Sequence, residues 1–272
     1  MTRSLNRTHS PAPSRATRWI ILGAVGLLFA LPLVSMVEFT LRGGLEGGYT
    51  IDRWVTVFTG QLGPEFRQLW LAIGNSLLLA AVTVAIMLVL LVPTMILVQL
   101  SFPRLRHGLE FICLLPITIP AIVLVVGLAP VYSVVSRMFG SGVWTLAFAY
   151  GVLVLPYAYR AIQANLDSID VKTLSEAARS LGAGWGTVLF RVLIPNLRRG
   201  ILAASFIAVA VVLGEFTVAS LLNRVNLQTA LLIVNKADPY IAVIFALLSL
   251  LFAFVLLVVI GRVGSVSRKV RS

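Results

Sequence analysis

Six apolar runs, each long enough to cross a bilayer, constrain this chain more than any other feature of its sequence. They cover residues 19–39, 69–100, 110–135, 143–162, 200–222 and 240–260. Hydrophobic residues make up 59% of the 272 and charged residues only 12%. That is too little charge to cover the surface of a soluble domain of this length. The chain reads as an all-α membrane protein with six transmembrane helices.

The run 69–100 would be ~48 Å long as a helix, against a bilayer core of ~30 Å. It must tilt, project from the membrane or break near Pro93. The third run carries Pro116, Pro120 and Pro130, and the fourth Pro156. Proline is tolerated in a span where neighbours or water satisfy the freed carbonyls. Three in one span fit either a cavity-facing helix or simple packing kinks.

Residues 1–18 are polar and basic, with Arg3, Arg7, Arg15, Arg18, Pro11 and Pro13, and read as a disordered cytoplasmic tail. The first apolar run is too long for a signal peptide, and Glu38-Phe39-Thr40-Leu41 is a poor cleavage site. Six spans put both termini on one side. With that side inside, sixteen of the 22 Lys and Arg fall in inner segments, the orientation that basic residues favour. The formal charge of +12 is thus accounted for at helix ends, and a nucleic-acid partner is not implied. The outer segments are then 40–68, long enough for a small structured element, a turn near Gly140, and 223–239. Within the last, 227–234 reads as a short helix lying at the surface. Residues 261–272 form a second inner tail.

The one large inner segment is 165–199. Val171, Leu174, Ala178 and Leu181 recur on one helical face, with Lys172 and Glu176 four apart on another. Ser168 and Asp170 are helix starters. Gly182, Gly184 and Gly186 break the helix. A second amphipathic stretch follows, with Trp185, Val188, Leu189, Val192 and Leu193 on its apolar side, and Pro195 is expected to end it. Pattern alone fits either two helices lying on lipid or a protein-docking elbow.

The residues Glu176-Ala177-Ala178, three more, Gly182, nine more, then Val192-Leu193-Ile194-Pro195 are more specific. They resemble the EAA signature of permease subunits of bacterial ATP-binding-cassette importers of type I. Only Val192 and Ile194 depart from that pattern, both conservatively. The resemblance extends over 69–260, a five-helix core with one span added in front. It implies a coupling helix around 181–189 that inserts into a separate ATPase subunit. Glu176, Ala177, Ala178, Arg179, Gly182, Ala183, Trp185 and Pro195 would form that coupling surface. It further implies two ATPase subunits that carry ATP and magnesium, and a second permease, more often different than identical. An extracytoplasmic solute-binding protein, surrounding lipid and a bacterial inner-membrane location complete the picture.

The chain's own chemistry agrees with a division of labour. No Gly-Lys pair occurs, so there is no phosphate loop, and the lysines are Lys172, Lys236 and Lys269. The glycines at 182, 184 and 186 do not make a dinucleotide pattern. His9 and His107 are the only histidines, and Cys113 reads as a packing residue. Catalytic and metal-binding sets are not expected, and this chain is not expected to be an enzyme.

Glu215 lies deep in the fifth run and is a candidate for the translocation pathway or for structural pairing. Thr217 follows it, and Asn75 lies in the second run beside Ser76. Glu38 reads as interfacial. The surroundings of Glu215, with Leu155-Pro156-Tyr157, resemble the polyamine branch, which carries spermidine and putrescine. Iron, sulfate, thiamine and phosphonate permeases share these features. A secondary transporter or channel would predict internal symmetry between halves, and none is visible.

Overall fold

The computed structural model describes residues 14–44, 47–63 and 66–266. Most of the amino-terminal tail and the end of the carboxy-terminal one lie outside this range. Two compact units are present, residues 1–60 and 61–272.

In the first unit, α1 (Arg15–Leu41) is an apolar helix whose start is capped by the Ser14 hydroxyl, accepting from the Thr17 N–H at 3.1 Å. The helix therefore begins inside the segment expected to be a disordered tail. The segment after it contains α2 (Asp52–Thr59). The Trp54 indole N–H donates to the Thr40 hydroxyl at 3.0 Å, and the Glu38 carboxylate accepts from Arg42 and Tyr49.

The second unit is helical. It begins with α3 (Arg67–Ser101), which runs unbroken through Pro93. Beside that proline, the Thr94 hydroxyl donates to the Leu90 carbonyl at 2.6 Å. Of the three outcomes expected for this run, a break at Pro93 is excluded. The third apolar run, by contrast, is two helices. It divides into α4 (Arg106–Leu114) and α5 (Ala121–Phe139), separated by a 3-10 turn and by extended backbone at Ile119. Pro116 and Pro120 lack the N–H that an α-helix requires, and a residue preceding proline is driven out of the α region.

Next come α6 (Ala147–Leu166), α7 (Val171–Ser180), α8 (Trp185–Thr187) and α9 (Ile194–Gly214). The last three helices are α10 (Thr217–Leu221), α11 (Leu227–Ala237) and α12 (Pro239–Val266). The last extends into the segment expected to be a tail. Among the described residues six helices are long and apolar enough to cross a membrane: Arg15–Leu41, Arg67–Ser101, Ala121–Phe139, Val143–Leu166, Trp185–Gly214 and Pro239–Leu256.

The core of this unit is α6, packed against α3 and α9. Tyr150, Val154, Tyr159, Ile162 and Leu166 are buried along it, facing Ala204 and Ala208 of α9. Small residues let two membrane helices approach closely. Asn165 at the end of α6 meets Gly200 at the start of α9, and Tyr150 near the start of α6 meets the segment after α9. The two helices are therefore antiparallel, with the 165–199 loop at one end and Glu215 at the other. α11 is present where a surface helix was expected, but Leu227, Ala230 and Val234 bury one face of it between α3 and α12.

Candidate functional site

The loop between α6 and α9 is built from its first turn. Asp170 caps α7, its carboxylate accepting from the Thr173 hydroxyl at 2.6 Å and the Thr173 N–H at 3.1 Å. These bonds hold its carboxyl below the usual value of 3.8. Val171 and Ser175 are buried, which fixes the inward face of α7. Glu176, Ala177 and Arg179 face outward, while Ala178 is half-buried. The Lys172–Glu176 pair, at 3.9 Å with both side chains exposed, contributes little.

The elbow at Gly182 is a Schellman turn. The Gly182 N–H donates to the Arg179 carbonyl at 2.9 Å and the Ala183 N–H to the Ala178 carbonyl at 3.1 Å. Gly182 takes φ +85°, the left-handed conformation that side chains resist. The chain then reverses, and the Arg179 guanidinium lies 4.9 Å over the Trp185 ring. This cation–π contact ties the two arms together. Spacing puts Leu181 on the same helical face as Val171, Leu174 and Ala178. It is 89% exposed at the tip of the elbow.

Pro195 does not end the second arm. From Trp185 the helix continues to Gly214, passing through a π-helical stretch, Val188–Leu193, on the way. Pro195 is the second residue of α9, directly after the π-helical stretch, and the helix passes through it. The elbow is thus continuous with a span. Near its base, Arg106 at the start of α4 forms a bidentate pair with Asp167 at 2.8 and 3.0 Å, which Gln163 also contacts. Sequence reasoning missed this pair, whose partners lie far apart in the chain.

At the other end of α9 the helix stops at Glu215, which is extended (φ −86°, ψ 125°). Glu215 was expected inside a continuous span, whereas it stands at a break. One carboxylate oxygen accepts from the Thr217 N–H at 2.7 Å and the other from the Val218 N–H at 2.9 Å. The Glu215 carbonyl accepts from the Asn226 amide at 2.9 Å, and the same amide reaches the Tyr150 hydroxyl. Asn75 donates to the Val225 carbonyl at 2.9 Å, and the Ser76 hydroxyl accepts from the Leu227 N–H at 2.7 Å. Glu215, Thr217 and Asn75 are therefore gathered around one connection, residues 215–227.

Three residues of this cluster went unread in the sequence. Tyr150 and Arg224 gave no local signal. Asn226 did, as an Asn-x-x-Thr cap before an apolar run, and the reciprocal capping box with Thr229 is formed. The Arg224 Nε donates to the Tyr132 hydroxyl at 3.0 Å and Nη2 to Ser136 Oγ at 3.2 Å.

Fold and loop together define a class, a multi-pass helical membrane protein with a two-armed elbow inserted before one of its spans. Residues 100–272 match the profile of the family described as binding-protein-dependent transport system inner membrane component, and the chain belongs to that family. It is 28% identical over 250 residues to the probable ABC transporter permease protein y4fN of Sinorhizobium fredii. That alignment covers 86% of this chain but only 43% of the relative. It is 26% identical over 268 residues to the molybdenum transport system permease protein ModB of Mycobacterium tuberculosis, covering 92% of this chain and 95% of that one. It is also 25% identical over 206 residues to the spermidine/putrescine transport system permease protein PotB of Haemophilus influenzae, covering 70% of each chain.

Proposed function

We propose that this chain is the permease subunit of an ATP-driven importer. It pairs with a second permease in a complex with two ATPase subunits, one of which takes its 165–199 loop, and receives solute from an external binding protein. The observation that carries this reading is the elbow itself. Leu181, Trp185, Glu176 and Arg179 are exposed on a turn made rigid by the Schellman bonds and the Arg179–Trp185 contact. Apolar and charged groups held outward on a rigid turn suit insertion into a partner's groove. Because Trp185–Gly214 is one helix, a push on the elbow is delivered to the span and to the Glu215 connection at its far end.

The excess of basic residues on the loop side supports cytoplasmic termini and a cytoplasmic elbow. Residues 69–260 would form the translocating core, and hydrolysis would take place on the partner. The test is ATPase activity of the complex reassembled in lipid vesicles, which should rise when the solute-loaded binding protein is added. Activity that ignores the loaded binding protein would overturn the reading.

The substrate we infer is a small charged solute. The names of the relatives divide between molybdenum and polyamines. The polyamine reading rests on the resemblance around Glu215 and Leu155-Pro156-Tyr157, with the acid of Glu215 as minor added support for a cation. Both Glu215 carboxylate oxygens accept backbone N–H groups, which weakens that support. We assign Glu215, Thr217 and Asn75 to the pathway mouth as its framework, with Glu215 acting as a cap.

A further inference from the structure

At the Glu215 end of the core, the charged groups are unequally employed. Glu215 caps α10. Asp238 caps α12, its Oδ1 accepting from the N–H groups of Tyr240 at 2.8 Å and Ile241 at 3.2 Å. Both acids are thus drawn into backbone bonds. The cations at this end of the second unit, among the described residues, are Arg67, Arg137, Arg224 and Lys236. The first, second and last are exposed and solvated.

Arg224 differs. It is half-buried, and its partners are neutral: the Tyr132 hydroxyl, the Tyr132 ring at 5.7 Å and the Ser136 hydroxyl. No carboxylate pairs with it among the described residues. A partly desolvated cation without a counter-ion is costly and is kept in membrane proteins chiefly for function. Its position is also fixed from behind. Asn223 before it adopts φ +51°, and the Arg224 N–H is bonded to the Ala219 carbonyl at 2.8 Å. The residues after it are anchored by Asn75, Ser76 and Tyr150. Nη1 has no protein acceptor among the described residues, and the Ser136 hydroxyl beside it donates only a long bond, 3.5 Å, to the Gly140 carbonyl. A guanidinium so placed presents the fork that an oxyanion accepts.

We propose that Arg224, with Ser136, is an anion-recognition site at the mouth of the pathway, and that the solute carried is a small oxyanion. This rests on the permease reading and supplies its substrate class. A mere clip between α5 and the 223–227 connection would need the hydrogen bonds but not the charge, and this difference makes the proposal testable.

The assembled transporter, with its ATPase, partner permease and binding protein, is placed in vesicles, and uptake of labelled molybdate, sulfate and spermidine is measured. Molybdate or sulfate should accumulate and spermidine should not. Arg224→Gln removes the charge and can keep the bond that Nε makes to Tyr132, but not the one that Nη2 makes to Ser136. It should lower anion uptake roughly tenfold or more, with the ATPase subunits still bound. Arg224→Lys should recover part of the loss. Accumulation of spermidine, or wild-type anion uptake by Arg224→Gln, overturns the proposal. Failure of both anions with the ATPase still bound also overturns it, yet leaves the permease reading standing. Loss of ATPase binding by the wild-type chain is the outcome that sinks the permease reading itself. Should Arg224→Gln fail to assemble, the wild-type choice between anion and spermidine still decides.

Discussion

The backbone N–H of Gly200 donates to the Oδ1 of Asn165 across 2.8 Å, joining the end of α6 to the start of α9 at the base of the 165–199 loop. A Cβ on Gly200 would stand 2.7 Å from the Asn165 Cβ and 3.1 Å from the Ala161 carbonyl oxygen. Both contacts fall on atoms close to the α6 backbone, not on the far end of a flexible side chain. Gly200→Val should therefore destabilise the bundle by ~1–3 kcal/mol through overpacking. Gly186→Ala, at a site with open space around it, should not. Thermal melts of the two variants in detergent check the contrast.

Asp170 makes the start of α7 sensitive to acid. Its carboxyl is held below the usual 3.8, first by the Thr173 hydroxyl and then by the Thr173 N–H. A lowered folded value means that the charged carboxylate stabilises the folded loop. That contribution is complete at neutral pH and is lost as pH falls below 3.8 through the lowered value. Asp170→Ala should lower the melting temperature at pH 7, and the difference from wild type should shrink under acid. A difference that does not change with pH would show that the charge is not involved.

Glu215 should behave as a cap. Glu215→Ala leaves the N–H groups of Thr217 and Val218 without their acceptors, at a cost of ~1–3 kcal/mol. Glu215→Gln retains one carbonyl oxygen and should lose less stability. Because the role assigned is structural, Glu215→Gln should keep uptake. If uptake collapses in a well-folded Glu215→Gln variant, the carboxylate's charge acts on the solute and the framework assignment is wrong.

What the sequence revealed followed from local chemistry. Apolar runs of spanning length left no soluble alternative, and glycine at 182 marked the turn because few other residues accept its conformation. Errors arose where helical periodicity was carried past a helix end. Leu181 fits the apolar face of α7 by spacing, but it is the residue at which the helix stops, so the spacing no longer describes its direction. Pro195 reads as a stop in the sequence, but the helix from Trp185 to Gly214 runs through it. Glu215 was placed deep in a span because nothing in Leu213-Gly214-Glu215-Phe216 announces the break. Tyr150, Arg224 and the Arg106–Asp167 pair depend on partners 61 to 92 residues away, which one sequence cannot pair.

The central claim is that the exposed elbow engages an ATPase, and co-purification tests it most directly. The chain is tagged, co-expressed with the products of its neighbouring genes, and isolated in detergent as wild type, Glu176→Lys and Gly182→Val. Val at 182 would have to hold φ +85°, a strain of ~1–2 kcal/mol confined to the turn. The account predicts that the wild-type chain retains an ATPase subunit. Both variants should lose most of it while melting within a few degrees of wild type, since the elbow lies outside the α3–α6–α9 core. Full retention of the ATPase by both folded variants would contradict it.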